Sequence, residues 1–145
     1  MYISTTQAQA EVPVTVLHIK GELDASNYHL VIDKAREAYA LGARNLLLDL
    51  SEVPYMGSSG LVAFHSVALL MRGEKPPDPE TGWGALRSID QEREAGLQQN
   101  VKLFNPQPKV ERVLEMAGFD QFFEIFTDQE TAIASFSAGQ VEASA

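Results

Sequence analysis

Hydrophobic and polar positions change their spacing several times along the chain, and each change marks an expected element. The run Val14-Thr15-Val16-Leu17-His18-Ile19 is rich in β-branched residues and closes at Gly21, which predicts a strand. Tyr2 to Thr6 is expected to pair beside it. From Ser26, read as an N-cap, Tyr28, Val31, Ile32, Ala35, Ala38 and Tyr39 recur at helical spacing as far as Gly42. Leu46-Leu47-Leu48-Asp49-Leu50 is then nearly continuous in apolar residues, the pattern of a parallel strand covered on both faces. Strand, helix and strand together make a βαβ unit.

A loop containing Pro54 leads to Gly57-Ser58-Ser59-Gly60, and Leu61 to Met71 predicts a second helix that begins at these serines. The loop therefore sits where a strand ends and a helix starts. Val101-Lys102-Leu103-Phe104 reads as another central strand. Pro108 then stands at a first helical position, with Val110, Val113, Leu114 and Ala117 at i, i+3, i+4, i+7 before Gly118. Phe122 to Phe126 predicts a short strand, and Thr127 with Glu130 a capping box that opens a last helix through Ala132, Ile133 and Phe136. The tail, 138–145, is small and polar, and is expected to be flexible.

One stretch breaks the alternation. Residues 73–100 hold Pro76, Pro77, Pro79, Gly82, Trp83 and Gly84, then a charged run. Unstructured connections beyond about 12–15 residues are uncommon inside a compact domain, so this reads as an insertion. Leu86, Ile89, Arg93 and Leu97 have the spacing of a short surface helix within it. Trp83 fits either a partner anchor or a lid over the protein's own core.

Composition then narrows the function. At 145 residues the chain has room for one core, and 45% apolar content is that of a globular protein. With 20 acidic against 11 basic residues, the net charge of -9 opposes binding to nucleic acid or to anionic lipid. Without cysteine there is no thiol catalysis, disulfide or thiolate metal site. The N-terminal stretch does not look like a secretory signal and the apolar segment Leu61–Met71 is too short to span a bilayer, so a cytoplasmic location without membrane insertion is expected. His18, His29 and His65 fall in separate elements with no pairing that reads as metal ligation, and neither a P-loop nor a dinucleotide fingerprint is present; no cofactor is expected.

Two segments carry a resemblance: Gly21-Glu22-Leu23-Asp24 after the early strand, and Tyr55-Met56-Gly57-Ser58-Ser59-Gly60-Leu61 between strand and helix. In this order and setting they resemble the STAS family, of the single-domain anti-sigma-factor-antagonist type. The likeness extends to Leu46–Leu50, to the helix opened by Pro108 and to Ala117-Gly118-Phe119. It implies an α/β STAS fold over residues 1–137, with a mixed, mostly parallel sheet of about four to five strands, about four helices and the 73–100 insertion. It also implies binding to an anti-sigma factor that is a serine kinase, phosphorylation at Ser58, and a phosphatase that reverses it. Such a protein is a kinase substrate and no enzyme. Ser59 is the substitute acceptor. Asp24, Gly57, Ser58, Ser59, Val62, His65 and Leu69 are the expected partner contacts, the last three as surface positions on the second helix. Asp24 serves equally as a turn residue ahead of the first helix. Whether the chain also forms a homodimer is left open.

The family pattern places Asp where this chain has Gly57. A kinase that uses that carboxylate to orient the serine or hold magnesium loses its help, whereas a phosphate meets one less negative neighbour, and glycine reaches backbone angles closed to Asp. The rival reading within the fold is a STAS adaptor that is never phosphorylated, such as a lipid-transport ATPase subunit or a signalling scaffold. A serine hydrolase fails on spacing, because a nucleophile elbow needs Gly-x-Ser-x-Gly and no histidine follows at the distance that closes a triad.

Overall fold

The structure is a computed structural model and describes residues 1–74 and 97–137. Trp83, the short helix expected around Leu86 and the tail 138–145 lie outside the described residues.

Strand β1 (Tyr2–Gln9) pairs antiparallel with β2 (Pro13–Lys20), in unbroken register from Tyr2 opposite Lys20 to Gln9 opposite Pro13. Next come α1 (Tyr28–Ala40), β3 (Leu46–Glu52), α2 (Ser58–Met71), β4 (Val101–Phe104), α3 (Pro108–Met116), β5 (Ile125–Phe126) and α4 (Gln129–Ala134). The sheet order is β1-β2-β3-β4-β5, and every pairing after the first is parallel. This is the expected mixed, mostly parallel sheet, with four α-helices among the described residues.

Alternation along the strands divides the core in two. Leu17 and Ile19 of β2 join Leu46, Leu48 and Leu50 of β3 on the face that carries α1, α2 and α3. Val14, Val16 and Leu47 point the other way, beneath Ala132 and Phe136 at the C-terminal helix. The Leu46–Leu50 run is thus apolar on both sides because both sides are covered at its start. Farther along, the second face turns polar. Asp49 accepts from His18 Nδ1 at 2.7 Å, and Thr6 Oγ1 lies 2.8 Å from His18 Nε2, so one line of hydrogen bonds fastens β1 and β2 to β3. Ser51 adds two bonds to the same carboxylate.

Three local expectations change. Helix α1 starts at Tyr28 with Asn27 as its cap residue, because Ser26 is already spent: its amide and hydroxyl both donate to Asp24 Oδ1. Helix α4 is capped by Asp128, whose carboxylate accepts from the Thr131 amide at 2.8 Å, in place of the Thr127–Glu130 box. The Phe122–Phe126 strand shortens to Ile125–Phe126, since Phe119, Phe122 and Phe123 form one aromatic cluster on a 3-10 turn that carries them into the core.

Candidate functional site

The site is assembled by two returns of the chain. Gly21, at φ +112°, turns β2 out of the sheet in a conformation that favours glycine, and its amide donates to the Glu52 carbonyl at 3.0 Å. Leu23 then pairs in parallel with Met56: its amide donates to Tyr55 O at 3.0 Å, and its carbonyl accepts from the Gly57 amide at 2.9 Å. The segments 21–24 and 55–61 are therefore joined backbone to backbone. Both Leu23 and Met56 are fully buried beneath this junction.

Gly60 makes the junction tight. A Cβ built there would overlap Met56 Cγ and Sδ and lie 3.1 Å from Leu23 Cδ2, so the first turn of α2 can sit this close only without a side chain at position 60. Ser58, the first residue of α2, is held on the surface as a consequence. Ser59 is half-buried beside it. The helix starts at the extended residue Gly57 with no side-chain cap and no acidic residue in its first turn, which leaves its positive end open to an anion.

Gly57 itself has φ −88° and ψ −179°, angles any residue adopts, and a Cβ there would meet only Tyr55 Oη at 3.9 Å. The wider backbone freedom of glycine is therefore not used here, and an aspartate fits without strain. What the glycine removes is a carboxylate and a cap, not a backbone clash.

Asp24 adopts the turn role. Its carbonyl accepts from the amides of Asn27 and Tyr28 at the start of α1, its amide donates to Asn27 Oδ1, and the Ser26 hydroxyl and amide hold its carboxyl below the ordinary carboxylate range. Its position next to Leu23 keeps it close in sequence to the bridge that carries the Ser58 loop.

Of the three expected surface positions on α2, only Val62 is half-exposed; His65 and Leu69 retain just 2% and 5% exposure. The reason is that α2 is apolar around its circumference, and every residue from Ala63 to Met71 is buried. Of the positions expected to contact a partner, Asp24, Gly57, Ser58, Ser59 and Val62 are accessible, as is Tyr55, 47% exposed on the same loop and not anticipated from the sequence. An aromatic side chain that stays exposed beside Ser58 is a signal the motif itself carried.

Among the described residues no group of three or more histidine, aspartate or glutamate side chains is placed to hold a metal ion, and no helix is long and apolar enough to cross a membrane.

Residues 5–73 match the family model of the STAS domain. This stretch is similar to a STAS domain. The match stops at Gly73, where the insertion begins, while the STAS fold continues through the last helix. A Thermotoga maritima protein described as an anti-sigma factor antagonist is similar in structure at a TM-score of 0.63, with 21% identity over 90% of this chain and 91% of that one. An anti-sigma factor antagonist from Mycobacterium paratuberculosis gives 0.61, with 18% identity over 93% and 94%. The Bacillus cell fate determinant SpoIIAA in its phosphorylated form gives 0.50, with 21% identity over 91% and 96%. At such identities the likeness establishes the fold. No curated protein matches the chain in sequence.

Proposed function

We propose that this STAS protein is an anti-sigma-factor antagonist that docks on an anti-sigma factor of the serine-kinase type through the Ser58 loop and the start of α2. One observation carries the reading: Ser58 is exposed at the first residue of α2, on a loop locked to the Gly-Glu-Leu-Asp segment by the Leu23–Met56 bridge. Asp24, Gly57, Ser59 and Val62 would frame the contact. The fold shared with solved anti-sigma factor antagonists supports the reading without assigning the partner.

A phosphate on Ser58 would meet free amides and the positive end of α2, so the domain tolerates it. The partner does not, because a charge of about -1.5 to -2 appears in the middle of its contact surface. Phosphorylation then releases the partner, and a phosphatase restores binding. The cycle belongs to a bacterial cytoplasm and leaves this chain without catalysis of its own. The test is intact mass after incubation with ATP and the cognate kinase. A gain of one phosphoryl group in wild type, absent in Ser58→Ala, supports the switch; an equal gain in both sends the phosphate to Ser59 or elsewhere.

Gly57 favours a second reading. Since the backbone there accepts aspartate, the missing carboxylate is a chemical difference from the phosphorylated pattern, as expected of an adaptor that docks through the same loop and is never phosphorylated. No mass gain, with co-purification of a membrane transporter or a signalling complex, would select it.

A further inference from the structure

We infer that β1 is a self-association edge, through which two copies of this chain pair antiparallel to extend one sheet across both. The contact goes beyond the docking loop and uses none of its residues.

The first observation is the exposure of the strand. β1 is an end strand of the sheet, eight residues long and paired with β2 at every position, with no bulge to twist it away. Its outer row of amides and carbonyls has no strand partner among the described residues. Edge strands of this length are ordinarily guarded by lysine, proline, a bulge or a covering element. Here the sequence is Tyr-Ile-Ser-Thr-Thr-Gln-Ala-Gln, and no charged side chain or proline occurs before Glu11.

The second observation says what fits. The chain as a whole carries 21% charged residues and a net charge of -9, so two copies repel each other over most of their surfaces. β1 is a neutral strip within that field, and a second copy brings an equally neutral one. A two-fold axis normal to the sheet keeps the helices of both copies on the same face. This requires residues of equal parity to oppose each other, because side chains alternate across a strand. With the axis on Thr5, each Thr5 faces its own counterpart, Ser4 faces Thr6 and Ile3 faces Gln7. The Thr5–Thr5 and Ser4–Thr6 pairs are of the kind that stabilise antiparallel ladders.

The third observation is room. Helix α1 packs on β2 and α2, and an open cavity of about 380 Å³ lies between Thr5, Gln7 and Thr15 of the sheet and Lys34, Glu37 and Ala38 of α1 with the turn that follows it. The cavity leaves space between the β1 edge and α1 on that side. On the opposite face, the Thr6–His18–Asp49 line fixes β1 to the strands behind it, so the edge is presented already ordered.

The test is sedimentation velocity over a concentration series with the full chain, using Thr5→Lys and Thr5→Glu. Thr5 is exposed and makes no side-chain hydrogen bond among the described residues, and circular dichroism checks that both variants fold. Wild type is expected to dimerise with rising concentration, each variant alone to remain monomeric, because like charges meet at the axis, and an equimolar mixture of the two to regain the dimer. A monomeric wild type throughout the series, or a dimer unchanged in Thr5→Lys, overturns the inference. Neither result bears on Ser58, whose phosphorylation is read separately by mass.

Discussion

Leu23 and Met56 stand in a parallel bridge outside the main sheet, each fully buried, with Gly60 packed against both. The bridge turns two segments, separated in sequence by α1 and β3, into one platform. Ser58 is presented on its surface, while the fit underneath depends on the absence of a side chain at position 60.

That fit predicts opposite responses at two neighbouring glycines. Alanine is ordinarily favoured over glycine in a helix by about 1 kcal/mol, yet at position 60 its Cβ would overlap Met56 Cγ and Sδ. Overpacking of this kind costs about 1–3 kcal/mol and outweighs the propensity gain. Gly60→Ala should therefore lower the urea midpoint, whereas Gly57→Ala, which opens onto Tyr55 Oη at 3.9 Å, should change it little. Equal midpoints for the two variants would contradict the packing described for the bridge.

Gly57→Asp is predicted to fold and to be slightly more stable. The residue sits at the N-cap of α2 with extended angles, and replacing glycine there by a good cap gains a few tenths of a kcal/mol. If Ser58 is a kinase substrate, the restored carboxylate should also raise the rate of phosphoryl transfer, measured as initial rate with the cognate kinase. A variant phosphorylated more slowly than wild type would mean that the glycine serves the reaction.

Most of this architecture is legible in the sequence because β-branched runs and helical spacing report burial directly. Val14–Ile19, Leu46–Leu50 and the Pro108 helix all appear where their patterns predict them. Caps are read less well, since Ser26, Asn27, Thr127 and Asp128 are all capable caps and only geometry chooses among them. His65 and Leu69 mislead for a different reason: when a helix is apolar on every side, sequence spacing no longer says which side faces outward, and in α2 no side from Ala63 onward does. The Ser58 loop is legible as a motif, but the Leu23–Met56 bridge beneath it is a contact between distant segments that no local pattern announces.

Acid should weaken the fold partly through Asp24 and Asp128. Each carboxyl is held below its ordinary value, by Ser26 and by Thr131, respectively. A carboxyl lowered on folding adds stability above its unfolded value, near 3.8, and that stability is lost as pH falls through the still lower folded value. Urea midpoints measured from neutral pH down to about pH 3 should fall less steeply in the double variant Asp24→Asn, Asp128→Asn, because the amide oxygens keep the acceptors without titrating. An unchanged slope would remove both groups from the acid response.

The C-terminal helix depends on a buried lysine. Lys102 is 1% exposed in the middle of β4, and its Nζ donates to the Ser135 carbonyl at 3.1 Å and to Ser135 Oγ at 3.0 Å, lies 3.2 Å from Glu124 Oε1 and faces the Phe136 ring at 4.7 Å. These contacts tie the end of α4 to the sheet beside the apolar cluster of Val14, Val16, Leu47, Ala132 and Phe136. In Lys102→Ala, the half-buried Ser135 carbonyl and hydroxyl lose this donor and the aliphatic stem leaves a void, for a loss of about 1–3 kcal/mol. Glu124 is 39% exposed and finds water, so its share of that loss is small. Lys102→Met refills the volume without the charge and should recover the packing part of the loss only. Hydrogen exchange separates the two contributions: the amides of α4 should lose protection in both variants, while those of β3 lose it only to the extent that global stability falls. Protection of α4 that follows the global change alone would mean that Phe136 and Ala132, not Lys102, hold the helix down.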